Sequence, residues 1–121
     1  MAREFFVNRA TGQTVYVALR VHTDKRGVDE GGNLGKWWNT ATLAWEYFTA
    51  ANWANYATVL LELGTTGFHE GTMPAGVDPE DAIEVYYLQR VGAAAAMGDT
   101  KIRAALFERI DEWVETRTIV V

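Results

Sequence analysis

The stretch "TVYVALRV" at Thr14–Val21 decides the fold class. Val15, Val17, Leu19 and Val21 fall on one side of an extended chain, and Tyr16, Ala18 and Arg20 fall on the other. That is the period of two a β-strand imposes. The segments around it follow the same habit. "KWWNTATLAWEYF" predicts a strand, a turn at Asn39 to Thr42 and a second strand, because aromatic and β-branched residues suit a pleated, half-buried surface. "TAANWANYA" fits a short helical turn or loop, and "TVLLELG" a further strand ended by Gly64. In "TTGFHEGTMPAG", Gly67, Gly71, Gly76 and Pro74 are spaced for turns that bracket a short edge strand.

Further along, "DPEDAIEVYYLQRV" opens with Asp78 and Pro79, a fair helix start, and then alternates Ile83, Val85 and Tyr87 with Glu84, Tyr86 and Leu88. Its second half is predicted as a strand. "GAAAAMGDT" is a loop between glycines, since four alanines are too few to nucleate a helix. The last segment supports two readings. Ile102, Leu106, Ile110, Trp113 and Val114 form a helical stripe with Lys101, Arg103, Asp111 and Glu112 opposite, while the closing "TRTIVV" is β-branched.

Short strands separated by Gly-rich turns predict an all-β fold, an antiparallel β-sandwich or small barrel, with room for one short helix near the C-terminus. The 121 residues make a single β-rich domain over 1–121, enough to bury roughly two-thirds of the unfolded chain's surface. No linker or repeat divides it. Residues 22–36 read as a long exposed loop, and 115–121 as a C-terminal tail or strand.

Composition removes several kinds of function. Without cysteine there is no disulfide scaffold, thiol nucleophile or Cys-based metal site. A formal charge of −5, with no basic run longer than "DKR", repels a phosphate backbone, so no nucleic-acid partner is expected. The apolar runs fall far short of the ~20 residues of a membrane span, and "MAREFFVNRATGQ" lacks a secretory h-region. Synthesis and folding in a cytoplasm are expected, with no membrane partner.

Chemistry-bearing residues are sparse. His22 and Asp24 stand at i and i+2 on a strand end, compatible with a metal pair or a triad fragment, yet a surface histidine beside a loop accounts for them more simply. His69 and Glu70 are strand neighbours and point to opposite faces. The carboxylates of "VDPEDA" and "ERIDEWVE" read as solvated faces, and "VDEGGNLG" lacks the Lys-Ser/Thr tail of a phosphate loop. No catalytic, cofactor-binding or metal-ligating residue is assigned.

The aromatics are the excess. Trp37 and Trp38 are adjacent, so on a strand one ring enters the core and the other faces out. Trp37, Trp45, Trp53 and Tyr56 are the candidate interface residues, in a role for which Trp and Tyr are enriched. Core filling is the bland alternative for the same rings.

The order of these features resembles a small β-sandwich module of tailed-bacteriophage virion proteins. That module runs through a "vYv" strand, a "W-N" turn, a "W-Y" segment, an aliphatic strand, a "G-Y-x-G-x-x-P" hairpin and a "Y-x-V" strand ending near "GD". The resemblance spans about residues 14–103, on Tyr16, Trp38, Asn39, Trp53, Tyr56, Gly67, Phe68, Gly71, Pro74, Val85, Gly92, Gly98, Asp99 and Thr100. Two departures stand out. The loop "HTDKRGVDEGGNLGK" is long for the module, and "IRAALFERIDEWV" carries a helical stripe where the module has a strand.

The resemblance implies a non-enzymatic structural component of a virion, either a capsid decoration (cement) protein or part of the tail or neck. Its partners would be major capsid or tail proteins and copies of itself, for instance as a trimer, and no cofactor is implied. The alternative is a carbohydrate-binding module for host recognition with Trp37, Trp45 or Trp53 as stacking platforms. A small hydrolase built on His22 and Asp24 is the third reading.

Overall fold

The computed structural model describes residues 4–23, 32–77, 82–109 and 112–119. Two antiparallel sheets pack face to face, which is the β-sandwich of the two all-β alternatives. In chain order the strands are β1 (Phe5–Asn8), β2 (Val15–Thr23), β3 (Trp37–Asn39), β4 (Ala44–Glu46), β5 (Thr58–Val59), β6 (Leu61–Glu62), β7 (Phe68–Gly71), β8 (Ala82–Gln89), β9 (Thr100–Arg109) and β10 (Trp113–Ile119). The large sheet runs β10-β9-β8-β2-β3-β4, with β5 also paired to β2, and the small sheet runs β1-β7-β6.

The "TVYVALRV" strand lies at the centre. Val15, Val17, Leu19 and Val21 are fully buried against the small sheet, where they meet Phe5, Val7, Leu60 and Val77. Phe5 sets its ring edge-on to Phe107 at 5.7 Å and to Tyr87 at 6.4 Å. Each such large apolar side chain contributes roughly 1.5–3 kcal/mol through burial. Tyr16 and Ala18 on the opposite face of β2 are buried as well, at 1% and 0% exposure. A 3₁₀ turn at Ala50–Tyr56 covers that second face with Trp53 and Tyr56, so the middle of the large sheet is sandwiched twice.

The chain changes sheets at Leu60. Its N–H donates to the Val15 carbonyl at 2.9 Å while its side chain enters the core, so the predicted "TVLLEL" strand is broken into β5 on one sheet and β6 on the other. The predicted edge strand at "FHEG" is instead the middle strand of the small sheet, held between β1 and β6. Of its two neighbours, β1 lies some sixty residues away in sequence and β6 is only two residues long.

Of the two readings of 101–114, the strand that the resemblance favours is present and the helical stripe is not. This segment forms β9 and β10, and β9 pairs with β8 from Ala82↔Glu108 to Gln89↔Thr100. Ala104, Ala105, Leu106 and Phe107 are all buried, so their run lacks the alternation of a strand with one wet face. Ile102 and Leu106 are four apart by coincidence of that double burial; Ile110 and Asp111 lie outside the described residues. The strand reading of 115–121 holds through Ile119. β2 continues through His22 and Thr23, inside the predicted 22–36 loop. Residues 24–31 lie outside the described residues, and Gly35 then returns the chain by donating to the Val21 carbonyl at 3.0 Å. The helix start at Asp78 and Pro79 also lies outside them.

One glycine is required by geometry. Gly67 has φ +81°, and a Cβ there would sit 2.1 Å from the Arg9 carbonyl oxygen. That carbonyl cannot retreat, because Arg9 N–H is itself bonded to the Gly67 carbonyl at 2.8 Å and Gly67 N–H to Glu62 at 3.0 Å. Gly67→Ala is expected to cost about 3 kcal/mol or more in urea unfolding, combining left-handed strain with a backbone clash. Gly64 has φ +62° but open space around it. Gly64→Ala should therefore cost only about 1–2 kcal/mol, and equal losses for the two variants would contradict the steric account.

Candidate functional site

The second face of the large sheet carries a cluster of rings built from separate elements. Trp37 on β3 contacts Phe48 at 5.8 Å, Trp53 at 5.9 Å, Tyr56 at 6.1 Å and Tyr86 at 5.4 Å between ring centroids. Trp38, its neighbour, is 2% exposed and points into the core between the sheets. The alternation expected of the Trp pair is present, but the outward ring is half-buried by its aromatic neighbours.

Glu46 pins the 3₁₀ turn onto the β3–β4 hairpin. Its carboxylate accepts Tyr56 Oη–H at 2.6 Å, Asn52 Nδ2 at 2.9 Å and Asn39 Nδ2 at 3.0 Å. The Tyr56 and Asn52 donors hold it below the usual carboxylate range. Asn39 also caps its own turn, its Oδ1 accepting the N–H groups of Ala41 at 2.9 Å and Thr42 at 3.2 Å. This is the side-chain-to-backbone turn for which Asn is suited.

A second chain of hydrogen bonds ties the rings to the β8–β9 connection. Trp53 Nε1–H donates to Tyr16 Oη at 3.1 Å, and Tyr16 Oη–H donates to Asp99 Oδ2 at 2.7 Å. Asp99 further accepts Ala96 N–H at 2.8 Å and Val91 N–H at 3.1 Å. Burial pushes the Asp99 carboxyl up, but the donors from Ala96, Tyr16 and Val91, helped by the Arg90 charge, more than offset it and leave it low. Tyr16 shifts in the opposite direction. Burial and the Asp99 carboxylate both raise its phenol.

Between the ring cluster and this connection opens a cleft of about 410 Å³. The rings of Trp37, Phe48, Trp53, Tyr86 and Tyr87 line it together with Leu88, Met97, Lys101 and Arg103. Arg103 is engaged bidentately by Glu115, at 3.0 and 2.7 Å, and its guanidinium lies 4.4 Å from the Tyr87 ring centroid. Burial pushes the Tyr87 phenol up to about 12.

Beside the cleft, Glu84 gathers three donors. It is 8% exposed and is bonded by Arg20 Nη1 at 3.0 and 3.1 Å, His22 Nδ1 at 2.9 Å and Tyr86 Oη–H at 2.5 Å. Burial would raise its pKa, yet Tyr86, His22 and Arg20 together hold it below the usual range. His22 therefore takes part in a scaffold network. Its sequence partner Asp24 lies outside the described residues, and His69 is buried in the small sheet beside Val7 and Glu62.

Of the four residues expected at an interface, Trp37 and Trp53 line the cleft, while Tyr56 lies fully buried beneath them and presents no ring to solvent. Trp45 is on the opposite face, edge-on to Trp38 at 5.1 Å and packed on the main core. Sequence reasoning missed Phe48, Tyr86, Met97 and Lys101. Tyr86 was traceable, since the β8 alternation puts it opposite Tyr87; Met97 and Lys101 reach the cleft only through the β8–β9 turn. Among the described residues no cluster of three or more His, Asp or Glu side chains is placed to hold a metal ion, and no helix is long and apolar enough to cross a membrane. No family model, curated protein or solved structure matches the chain.

Two predictions come from these networks. Tyr16→Phe strips a donor from Asp99 and the acceptor from Trp53, and should lower stability by about 2–3 kcal/mol in urea unfolding. An unchanged midpoint would remove the chain of bonds as a structural element. The second concerns acid. Glu46, Glu62, Glu84 and Asp99 are all depressed in the folded state. Their contribution is complete above the unfolded carboxyl values near 4 and is lost as pH falls through the lower folded values. The melting temperature should hold from pH 7 to about 5 and fall steeply below about 4. Glu84→Gln should be less stable at neutral pH and show a shallower acid slope.

Proposed function

We propose that the chain is a non-enzymatic structural module of a tailed-bacteriophage virion, docked on a capsid or tail protein through its aromatic face. What carries this reading is where the residues of the resemblance sit. Tyr16, Trp53 and Asp99 form the hydrogen-bond chain, and Asn39 and Tyr56 brace the hairpin against the 3₁₀ turn. Trp38 and Val85 fill the core, and Gly67 stands where no Cβ fits. These are scaffold positions, so the resemblance concerns architecture and brings no catalytic residue with it. The histidine and carboxylate closest to a reactive arrangement, His22 and Glu84, are bonded to each other, and Glu84 is also held by Arg20 and Tyr86.

The cleft supplies the docking surface this role needs. Rings concentrated in one preformed hollow are the usual anchor of a protein interface. The same rings favour the carbohydrate-binding alternative in one respect, because half-buried Trp37 and Trp53 could stack on a sugar. Quantitative mass spectrometry of density-banded particles from the source separates the two. A copy number comparable with the major capsid protein is expected for a decorating or tail-tube role, and a small number for a neck or baseplate part. Absence from the particles would reject the virion reading and leave glycan binding as the one to pursue.

A further inference from the structure

Apart from Tyr87 Oη, which is buried without a partner, most of the cleft's polar side chains are engaged within the fold. Tyr86 Oη–H is held by Glu84, Trp53 Nε1–H by Tyr16, and both terminal nitrogens of Arg103 by Glu115. Lys101 is different. It is exposed on β9 opposite Leu88, lines the cleft, and has no ion pair or hydrogen bond among the described residues. On a chain of formal charge −5, one unpaired ammonium at the edge of an apolar hollow is a local inversion of sign. It draws an anion to a place that otherwise selects for apolar shape.

The size and chemistry narrow the occupant. About 410 Å³ lies at the lower end of the ~300–1,000 Å³ typical of ligand clefts, room for one or two large side chains. A sugar ring carries hydroxyls on most of its carbons and loses affinity wherever they are desolvated without partners. Here the wall donors are either engaged or, like the unpartnered Tyr87 Oη, shut off from solvent, so a sugar would find rings to stack on and few groups to bond. An apolar side chain with a single carboxylate beside it matches what is free. The walls are also fixed before binding, since Asp99 and Tyr16 lock the β8–β9 connection to Trp53. Little ordering is needed when the cleft is filled.

We propose that the cleft seats an aromatic or long aliphatic side chain carried next to a carboxylate on an exposed segment of a partner protein. The apolar group lies between Trp37 and Met97, and the carboxylate pairs with Lys101. That the partner is another virion component rests on the functional reading above; the chemistry of the occupant rests on the cleft alone.

The experiment titrates the isolated protein with N-acetyl-L-phenylalanine and, separately, with its uncharged amide, following the indole N–H signals by NMR. Saturable shifts at Trp37 and Trp53 are expected, with the carboxylate bound roughly threefold tighter, the worth of an exposed charge pair. Lys101→Gln should abolish that preference while keeping the shifts. Because Lys101 is exposed and outside the core, this variant retains the fold. Equal affinity of the two probes, or shifts that bypass both indoles, overturns the proposal, as does tighter saturation at the same indoles by neutral oligosaccharides. In particles, Lys101→Glu should lower incorporation severalfold, and incorporation at the wild-type level overturns docking through the cleft. A wild-type chain missing from particles rejects the virion reading instead, and the probe preference, measured on the isolated protein, tells that failure apart from failure of the cleft chemistry.

Discussion

The structure depends on satisfying one phenol. β2 is covered on both faces, and Tyr16, at 1% exposure, brings a hydroxyl into the covered region. An unpaired hydroxyl at such a depth costs a few kcal/mol, enough to favour leaving that face open to water. Asp99 accepts its proton and Trp53 donates to its oxygen, so both sides of the group are used. With the hydroxyl satisfied, the 3₁₀ turn can close over β2, and the large sheet gains a second apolar layer beyond the one it shares with the small sheet. The same contact fixes the β8–β9 connection, because the carboxylate that serves Tyr16 also holds the N–H groups of Ala96 and Val91. The cleft is the gap left between these two consequences.

Glu46 and Glu84 do for the flanks what Asp99 does for the centre. Each carboxylate collects several donors: Glu46 joins the hairpin to the 3₁₀ turn, and Glu84 adds side-chain bonds from Arg20, His22 and Tyr86 to the β2–β8 pairing. Tyr86 packs its ring beside Trp37, so the orientation of one cleft wall is set by its bond to Glu84, whose carboxylate is in turn held by the part-buried ion pair with Arg20. Buried polar networks of this kind add more to uniqueness of structure than to net stability when every member is satisfied. Their effect on function is subtractive. They leave a ring-lined face on which Arg103 is already paired with Glu115, and Lys101 is the lining cation with no partner among the described residues.

What was legible in the sequence follows from which residues face water on one side. The β2 alternation, the Trp37–Trp38 division and the Asn39 turn were all visible, because each depends on neighbours within a few residues. β9 was masked, since "AALF" is buried on both faces and its spacing imitates a helix stripe. β7 looked like an edge because its partners are short pieces from opposite ends of the first half of the chain. The candidate site was legible only in composition. That Trp37 and Trp53 share a hollow with Met97 and Lys101, while Trp45 does not, is decided by the β8–β9 turn and by the parity of β4. No local pattern encodes either.

Assembly is constrained by the same topology. A sheet edge with free backbone groups invites pairing with another copy, and β10 is the long edge of the large sheet. It is irregular where such pairing would begin. The register with β9 shifts between Glu115 and Arg117, and Thr116 in the gap bonds back to Glu108 at 2.6 Å. A bulge with charged flanks turns an edge away from edge-to-edge extension. The small sheet offers the opposite situation on its outer face, where Phe6 stacks on Phe68 at 5.3 Å beside exposed Leu61, with Glu70 paired opposite both Phe6 and Leu61. Exposed apolar surface thus lies on a sheet face, while the β10 edge is interrupted by its bulge and charged side chains.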